Sequence, residues 1–260
     1  MDGIILKDDA RYDHTENYLK NRGCTFHPPS INPGKLNFAI FPFKEKVDEA
    51  IFDNKYFASL DKNVQIFSGV ANAYLAEKCT RYRIAYHVMM DDVGTKVKNA
   101  VPTSEGVIAY LIRNLGRTVA RSRVLVIGYG VCGRDLALRL TALGANVHAL
   151  VRNREKECTA FTDSVTPIYL HDILGQACKR ECNFDAIVNT VPGQVFTNEM
   201  LVRMGSTILI DIASAPYGFD MEFAKTLNAK SALLPGIPGK YATQTAGEIL
   251  GEYVEIVLNI

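Results

Sequence analysis

Apolar and polar residues alternate along the chain with two different spacings. Short apolar runs rich in β-branched residues are typical of strands buried in a parallel sheet, and they alternate with stretches whose apolar residues recur at helical spacing. The clearest run covers residues 124–127, and Leu136, Leu140 and Leu143 follow it at helical spacing before a second strand at residues 146–151. This alternation predicts an α/β protein built on parallel sheets.

A glycine-rich turn joins the strand and helix of this central segment. Gly128 permits a tight turn, Gly130 lets the backbone approach a pyrophosphate, and Gly133 lets the helix pack closely on the strand. The exposed N–H groups and the positive dipole end of the helix then hold phosphates. We therefore predict a dinucleotide site whose first contacts are Gly128, Tyr129, Gly130, Val131, Cys132 and Gly133.

The end of the second strand bears on the choice of cofactor. An NAD enzyme usually carries an acidic residue there for the ribose 2′-hydroxyl. Here the strand runs into Arg152, Asn153 and Arg154, and two guanidinium groups and an amide suit a 2′-phosphate better. The pattern favours NADP as cofactor and leaves NAD open.

The alternation on both sides of this segment indicates two domains. Earlier strands are predicted at residues 3–7, 37–41, 64–67 and 83–87, and later ones at residues 185–189, 207–212 and 231–234. A polar stretch at residues 91–100 is predicted as a hinge. We predict a smaller N-terminal α/β substrate domain (1–98) and a Rossmann-type NAD(P)-binding domain (99–242) that starts with helix 103–119. A C-terminal helix, 243–260, is free to pack on the first domain or on another subunit.

Composition excludes several classes of protein. The chain has 260 residues, 48% hydrophobic content and a net charge of +1, which is typical of a soluble globular protein and argues against nucleic acid as the main partner. No apolar run approaches the roughly 20 residues of a membrane span, and no signal peptide is evident, so we expect a cytoplasmic protein. Cys178 and Cys182 have a spacing that a metal site uses, but no second pair completes it, and no metal is predicted.

Residues after the later strands are candidate ligand contacts, because ligands bind beyond the carboxyl ends of strands in open parallel sheets. Small and polar residues there allow a nicotinamide ring to approach and its carboxamide to be oriented. The predicted cofactor contacts are Asn189, Thr190, Val191, Pro192 and Ala213. Ser214 is predicted to bind substrate and to take part in catalysis.

Four further residues are candidates for substrate binding and proton transfer. Lys240, held in a Pro-Gly-x-Pro-Gly-Lys turn, is the strongest catalytic or carboxylate-binding candidate, with a plain loop lysine as the alternative. Thr103 and Ser104 stand where we predict a helix to begin, so they serve as caps, as part of an anion site, or as both. Glu105 is a possible general base.

Several segments together resemble the family of dipicolinate synthase A subunits. The segments are NAVPTSEG (99–106), VLVIGYGVCGRDLA (124–137), NTVP (189–192), DIAS (211–214) and LPGIPGKYATQTAGEIL (234–250). They occur in the family's order and spacing, whereas the resemblance over the first hundred residues is much looser. Two positions depart from the family pattern, since Tyr217 replaces a glycine and Thr243 replaces a proline.

The resemblance implies a two-domain oxidoreductase of sporulating bacteria. Such an enzyme uses NAD(P) to oxidise a dihydrodipicolinate-type cyclic precursor to pyridine-2,6-dicarboxylate (dipicolinic acid), and it works with a flavoprotein-like B subunit. Thr103, Ser104, Ser214 and Lys240 would then bind the dicarboxylate substrate. We also expect a homo-oligomer.

Two other functions stay open at this point. A 2-hydroxyacid dehydrogenase shares the two-domain plan, but the substrate-binding arginine of that family is absent after the DIAS strand, and so is a late His–acid pair. A non-catalytic, NADP-binding regulatory subunit is the other alternative, because no unmistakable acid–base pair stands out.

Overall fold

The chain forms two α/β units, each built on a parallel sheet. The structure, a computed structural model, describes residues 1–29, 33–43, 46–171, 183–204, 208–227 and 230–260. Unit 1 comprises residues 1–99 and 238–260, and unit 2 comprises residues 100–237. Residues 238–242, which were expected in the Rossmann domain, therefore belong to unit 1.

Unit 1 is built on a five-stranded parallel sheet with the order β2-β1-β3-β4-β5. Its strands are β1 (Asp2–Ile5), β2 (Thr25–Phe26), β3 (Phe38–Ile40), β4 (Gln65–Ser68) and β5 (Ala85–Val88). Its first three helices are α1 (Arg11–Lys20), α2 (Asn54–Ser59) and α3 (Ala73–Tyr82). Every residue of β3 is buried, as expected for a central strand covered on both faces.

The C-terminal helices complete unit 1. They are α9 (Pro238–Tyr241) and α10 (Thr243–Leu258). Glycines on α10 let it lie against α1: a β-carbon on Gly247 would meet the Arg11 backbone, and one on Gly251 would meet the Tyr18 ring. Thr15 donates a hydrogen bond of 2.9 Å to the carbonyl of Gly247 in the same contact.

Unit 2 has a six-stranded parallel sheet with the order β11-β10-β9-β6-β7-β8. The strands are β6 (Arg123–Ile127), β7 (Asn146–Leu150), β8 (Thr166–Ile168), β9 (Ala186–Asn189), β10 (Ile208–Asp211) and β11 (Ser231–Leu233). The helices after them are α5 (Val131–Ala142), α6 (Arg154–Thr162), α7 (Asn198–Met204) and α8 (Met221–Thr226). Counted within the unit, this is the 3-2-1-4-5-6 order of the Rossmann fold, and the strand order reverses between β6 and β9. The predicted α/β class with a Rossmann-type sheet is confirmed.

The helix predicted at residues 103–119 begins earlier and ends earlier than expected. It is α4 (Val93–Asn114), which takes up most of the predicted polar hinge and contains Pro102 in its interior. Asp92 caps its start, because its carboxylate accepts a hydrogen bond of 2.7 Å from the N–H of Thr95. Proline is typical of a first helical turn, which explains why the sequence pattern placed the helix start at Pro102.

Candidate dinucleotide site in unit 2

The turn after β6 leaves room for a ligand at its tip. Gly128 has φ +91°, a left-handed conformation that favours glycine. Gly130 lies just before α5, and a β-carbon added there would have no atom within 4 Å. Because Gly130 has no side chain to cap the helix, the first N–H groups of α5 are left for an anionic ligand. These features fit the diphosphate of a dinucleotide.

Gly133 brings the helix close to the strand. A β-carbon at this position would collide with the carbonyl of Gly128 and would lie 3.1 Å from Oγ1 of Thr190. Thr190 is held in place by a hydrogen bond of 2.8 Å from its Oγ1 to the carbonyl of Ile127. Gly133 therefore allows the close packing of helix on strand that was predicted for the third glycine.

The side chain of Tyr129 in the turn is buried, and that of Cys132 in the first turn of α5 is partly buried. The Tyr129 ring is buried, and its hydroxyl donates a hydrogen bond of 2.8 Å to Asp163. Burial raises the pKa of the Cys132 thiol, and the nearby Asp135 carboxylate adds to this, so the thiol stays protonated near neutral pH. Of the predicted contacts in the turn, Tyr129 therefore offers a ligand its backbone rather than its side chain.

The basic residues after β7 have different environments. Asn153 caps α6, since its side-chain oxygen accepts the N–H of Lys156 at 3.0 Å. Arg154 lies 3.6 Å from the carboxylate of Glu157. Arg152 is exposed and has no hydrogen bond or ion pair with any residue that the structure describes. Among the predicted 2′-phosphate contacts, Arg152 is the one with a guanidinium group not already engaged.

The ends of β9 and β10 are joined by a buried polar pair. Asn189 and Asp211 are both fully buried, and the Asn189 amide donates a hydrogen bond of 3.0 Å to Asp211 and one of 2.8 Å to the carbonyl of Val191. Both amide hydrogens are thus used inside the protein. The prediction that the Asn189 side chain contacts the cofactor is wrong in this respect, because the side chain is enclosed.

The same carboxylate shapes the loop after β10. Asp211 accepts hydrogen bonds from the backbone N–H groups of Ala213 at 2.9 Å and Gly218 at 2.6 Å. A β-carbon on Gly218 would collide with the amide of Asn189, so only glycine fits there. The loop between them exposes Ser214 and Tyr217 to solvent.

The remaining predicted contacts after β9 and β10 lie at the same edge of the sheet. The side chain of Val191 packs where a β-carbon on Gly128 would be, Pro192 is exposed, and Ala213 is buried. The carbonyl of Pro216 accepts a hydrogen bond of 2.6 Å from Gly193, which links the loops after β9 and β10.

The candidates on α4 do not form a helix-terminal anion site. Thr103 and Ser104 lie inside the helix and are buried, so neither caps a helix start as predicted. Glu105 is exposed and lies 3.7 Å from Arg139 on the outer part of α5. That placement on helix surfaces argues against Glu105 as the general base.

Lys240 belongs to unit 1. It is exposed on α9, and the neighbouring Gly239 lies against Arg11, whose guanidinium group forms two hydrogen bonds of 2.7 Å with Asp9. Gly239 of the Pro-Gly-x-Pro-Gly-Lys segment thus lies against the start of α1. The exposed ammonium group of Lys240 is accessible to an anionic ligand.

The Cys178 and Cys182 pair lies outside the described residues. Within the part of the chain that the structure describes, no cluster of His, Cys, Asp and Glu side chains suitable for a metal ion is found. Among the same residues, no helix is long and apolar enough to cross a membrane.

Residues outside the predicted set also shape the site. The sequence offers one indication of the role of Asp211, since this acidic residue ends an otherwise apolar strand. Asp163 had none, because it is far along the chain from the turn that it contacts. Gly218 had only its place in a glycine-containing loop.

Comparison with known proteins agrees with this picture. No protein-family model matches the chain. Over 212 residues it is 29% identical to the A subunit of dipicolinate synthase from Bacillus subtilis (strain 168), a match that covers 81% of this chain and 70% of that protein. The chain is similar to the dipicolinate synthase A subunit. The resemblance predicted from the sequence motifs is confirmed.

Solved structures share the fold. The crystal structure of the dipicolinate synthase A chain from Bacillus subtilis has a TM-score of 0.90 at 23% identity, covering 100% of this chain and 96% of that chain. The A subunit from Bacillus halodurans has a TM-score of 0.87 at 23% identity, covering 100% and 98%. An NAD-dependent formate dehydrogenase from Staphylococcus aureus, in complex with NAD, has a TM-score of 0.61 at 10% identity, covering 100% and 95%. At these identities the solved structures show that the fold is shared.

Proposed function

We propose that this protein is an NADP-dependent oxidoreductase that forms pyridine-2,6-dicarboxylate from a dihydrodipicolinate-type cyclic precursor. The sequence similarity to the dipicolinate synthase A subunit is the observation that carries the proposal. In this proposal, the protein acts in the cytoplasm of a sporulating cell, with NAD as the alternative cofactor. Its proposed partners are a flavoprotein-like B subunit of dipicolinate synthase and further copies of the same chain.

The residues present fit the cofactor. The open space at Gly130 and the uncapped start of α5 support binding of the diphosphate, and the exposed Arg152 supports binding of a 2′-phosphate. A nicotinamide bound there would supply the acceptor for the hydride that the dihydropyridine ring must lose. Aromatisation also releases a proton, which must pass to a protein group or to water.

The chain's own residues divide the remaining tasks. Asp211 and Asn189 hold the loop that exposes Ser214, whose hydroxyl is proposed to bind a substrate carboxylate. Lys240, exposed on α9, is proposed to neutralise a carboxylate of the dianionic substrate. With Glu105 on the outer helix face, Lys240 and Ser214 remain the candidate catalytic residues.

The test is a cofactor titration followed by an assay of turnover. The purified chain is titrated with NADPH and NADH, and the cyclic product of dihydrodipicolinate synthase is then added with NADP⁺ or NAD⁺, with and without a candidate B subunit. Cofactor binding together with the absorbance of pyridine-2,6-dicarboxylate is the expected result. Binding without product in either condition would contradict the proposed reaction and favour the regulatory role or a different small carboxylate substrate, as in a 2-hydroxyacid dehydrogenase.

A further inference from the structure

A carboxylate outside the glycine-rich turn connects the turn to the helix that follows it. Oδ2 of Asp163 accepts hydrogen bonds from the Tyr129 hydroxyl at 2.8 Å and from Nε of Arg134 at 2.7 Å. Oδ1 of the same carboxylate accepts a second bond from Arg134, at 3.0 Å. Asp163 follows the last residue of α6 and is 11% exposed, so the carboxylate is largely shielded from water.

Each partner of Asp163 belongs to the candidate phosphate site. Tyr129 lies between the first two glycines of the turn, and Arg134 lies in the first turn of α5. The Tyr129 ring is also part of the hydrophobic core of unit 2, which leaves its hydroxyl one orientation toward the carboxylate. A single carboxylate thus holds the turn and the helix N-terminus in one arrangement.

The charges support the same arrangement. Hydrogen bonding to Arg134 lowers the pKa of Asp163, so the carboxylate is ionised at neutral pH. Burial raises the pKa of Tyr129, and its bond to Asp163 adds to this, so the phenol remains a donor. A bidentate arginine–carboxylate pair fixes orientation more strongly than a single contact does.

We propose that Asp163 is a positioning residue for the dinucleotide: through Tyr129 and Arg134 it pre-forms the turn and helix end that bind the diphosphate. This rests on the proposed function, because it assumes that a dinucleotide binds at Gly130. Asp163 itself does not touch the cofactor. A site that is already in the binding geometry loses less entropy when the ligand binds, so loosening it weakens affinity without removing any ligand contact.

The test measures NADPH dissociation constants and melting temperatures for Asp163→Asn, Tyr129→Phe and the double variant. We expect each single variant to bind NADPH about tenfold more weakly, as is typical of coupling between neighbouring groups. The melting temperature should fall only slightly, so that each variant stays folded throughout the titration. The double variant should bind NADPH as tightly as whichever single variant binds it less well, because both changes break the same connection.

Asp135→Asn is the matched control. Asp135 lies on α5, pairs with Arg139 at 2.8 Å, and its loss likewise removes one negative charge near the helix N-terminus. General electrostatics would make both aspartate variants bind the anionic cofactor slightly better, whereas loss of positioning weakens only Asp163→Asn.

Three outcomes would overturn the proposal. Asp163→Asn could bind NADPH as well as Asp135→Asn does, or the effects of Asp163→Asn and Tyr129→Phe could add independently. Alternatively, Arg134→Gln could weaken binding while Asp163→Asn tightens it, which would make Arg134 a direct phosphate ligand that Asp163 restrains. Absence of NADPH and NADH binding by the wild type would instead defeat the proposed function, and this inference with it.

Discussion

The amide of Asn189 donates a 3.0 Å hydrogen bond to the carboxylate of Asp211, and neither side chain is exposed to solvent. The two residues end neighbouring strands of the Rossmann sheet. Together with the bonds from Asp211 to the loop that follows, this pair sets the backbone beside the predicted nicotinamide position. A buried polar pair of this kind is costly to break, because the group left behind has no water to bond.

Asp211→Asn should therefore lower the stability of the protein. The side-chain oxygen of an asparagine can still accept from the Asn189 amide and the Ala213 N–H. Its NH2 group then faces the Gly218 N–H, which loses its acceptor. The expected loss is about 1–3 kcal/mol in the free energy of unfolding, measured by urea denaturation. Glu222→Gln, at an exposed pair with Lys225, is the control and should change little. Equal stability of the two variants would contradict the role of Asp211.

The glycines of the turn should separate stability from cofactor binding. Gly130→Ala places a methyl group in open space, so the melting temperature should hold while NADPH binding is lost. Gly133→Ala drives a methyl group into the Gly128 carbonyl, so both stability and binding should fall, the former by roughly 1–3 kcal/mol. Thermal unfolding and fluorescence titration of the two variants check this. Unimpaired NADPH binding by Gly130→Ala would contradict the proposal that the cofactor binds at this turn.

The parts of the site that could be predicted from the sequence depend on local spacing. The strand, the turn at Gly128 and the following helix are set by residues adjacent in the chain, so their pattern is readable. The start of α4 was mispredicted because Pro102 carries a local signal for a helix start, and the stronger cap at Asp92 lies ten positions earlier.

The environment of each side chain could not be read in the same way. Asn189 looked like a ligand contact because amides orient ligands, but its amide is satisfied by Asp211, which lies on another strand. Arg152 and Arg154 looked equivalent until the structure placed Glu157 beside one of them. The Asn189–Asp211 contact joins two strands that spacing does not relate. The Arg154–Glu157 contact is an i,i+3 pair within α6, and it depends on where that helix begins.

Arg152 should set the preference for NADP. Arg152→Ser removes the exposed guanidinium group, and we expect NADPH to bind about tenfold more weakly while NADH binding is unchanged, since one charge-assisted hydrogen bond is lost. Arg154→Ser, in which the arginine already contacts Glu157, is the matched comparison and should have a smaller effect. A larger loss of NADPH affinity in Arg154→Ser than in Arg152→Ser would assign the 2′-phosphate contact to Arg154. Equal affinity of the wild type for NADPH and NADH would favour NAD as the cofactor.

The Asp163 pair should make stability depend on pH. The Arg134 guanidinium lowers the pKa of Asp163 in the folded state below its ordinary value of 3.8, so this contribution to stability is complete above that value and is lost as the pH falls through the folded-state pKa. Asp163→Asn should therefore be less stable than the wild type at pH 7, with a difference that shrinks below about pH 4. Urea midpoints of both proteins at several pH values give the comparison. A constant difference down to about pH 3 would contradict it.

Lys240 should matter for turnover rather than for folding. Because the side chain is exposed, Lys240→Met should leave the melting temperature unchanged. We expect a rise of about tenfold or more in KM for the dicarboxylate substrate, since a charge-assisted contact is lost. Lys20→Met, at another exposed lysine of unit 1, should leave KM unaltered. An unaffected KM in Lys240→Met would mean that Lys240 is an ordinary surface lysine.

The division of unit 1 into residues 1–99 and 238–260 determines the order in which the protein can mature during synthesis. Unit 2 is continuous in sequence, and all of it is translated before Gly247 and Gly251 become available to cover α1. Since domains fold as units, unit 1 cannot close its core before α10 has been translated, although its first 99 residues are made first. A chain truncated before residue 238 would thus keep the whole of unit 2 and leave the α1 face around Tyr12 and Leu19 uncovered, which is the kind of apolar surface that chaperones bind.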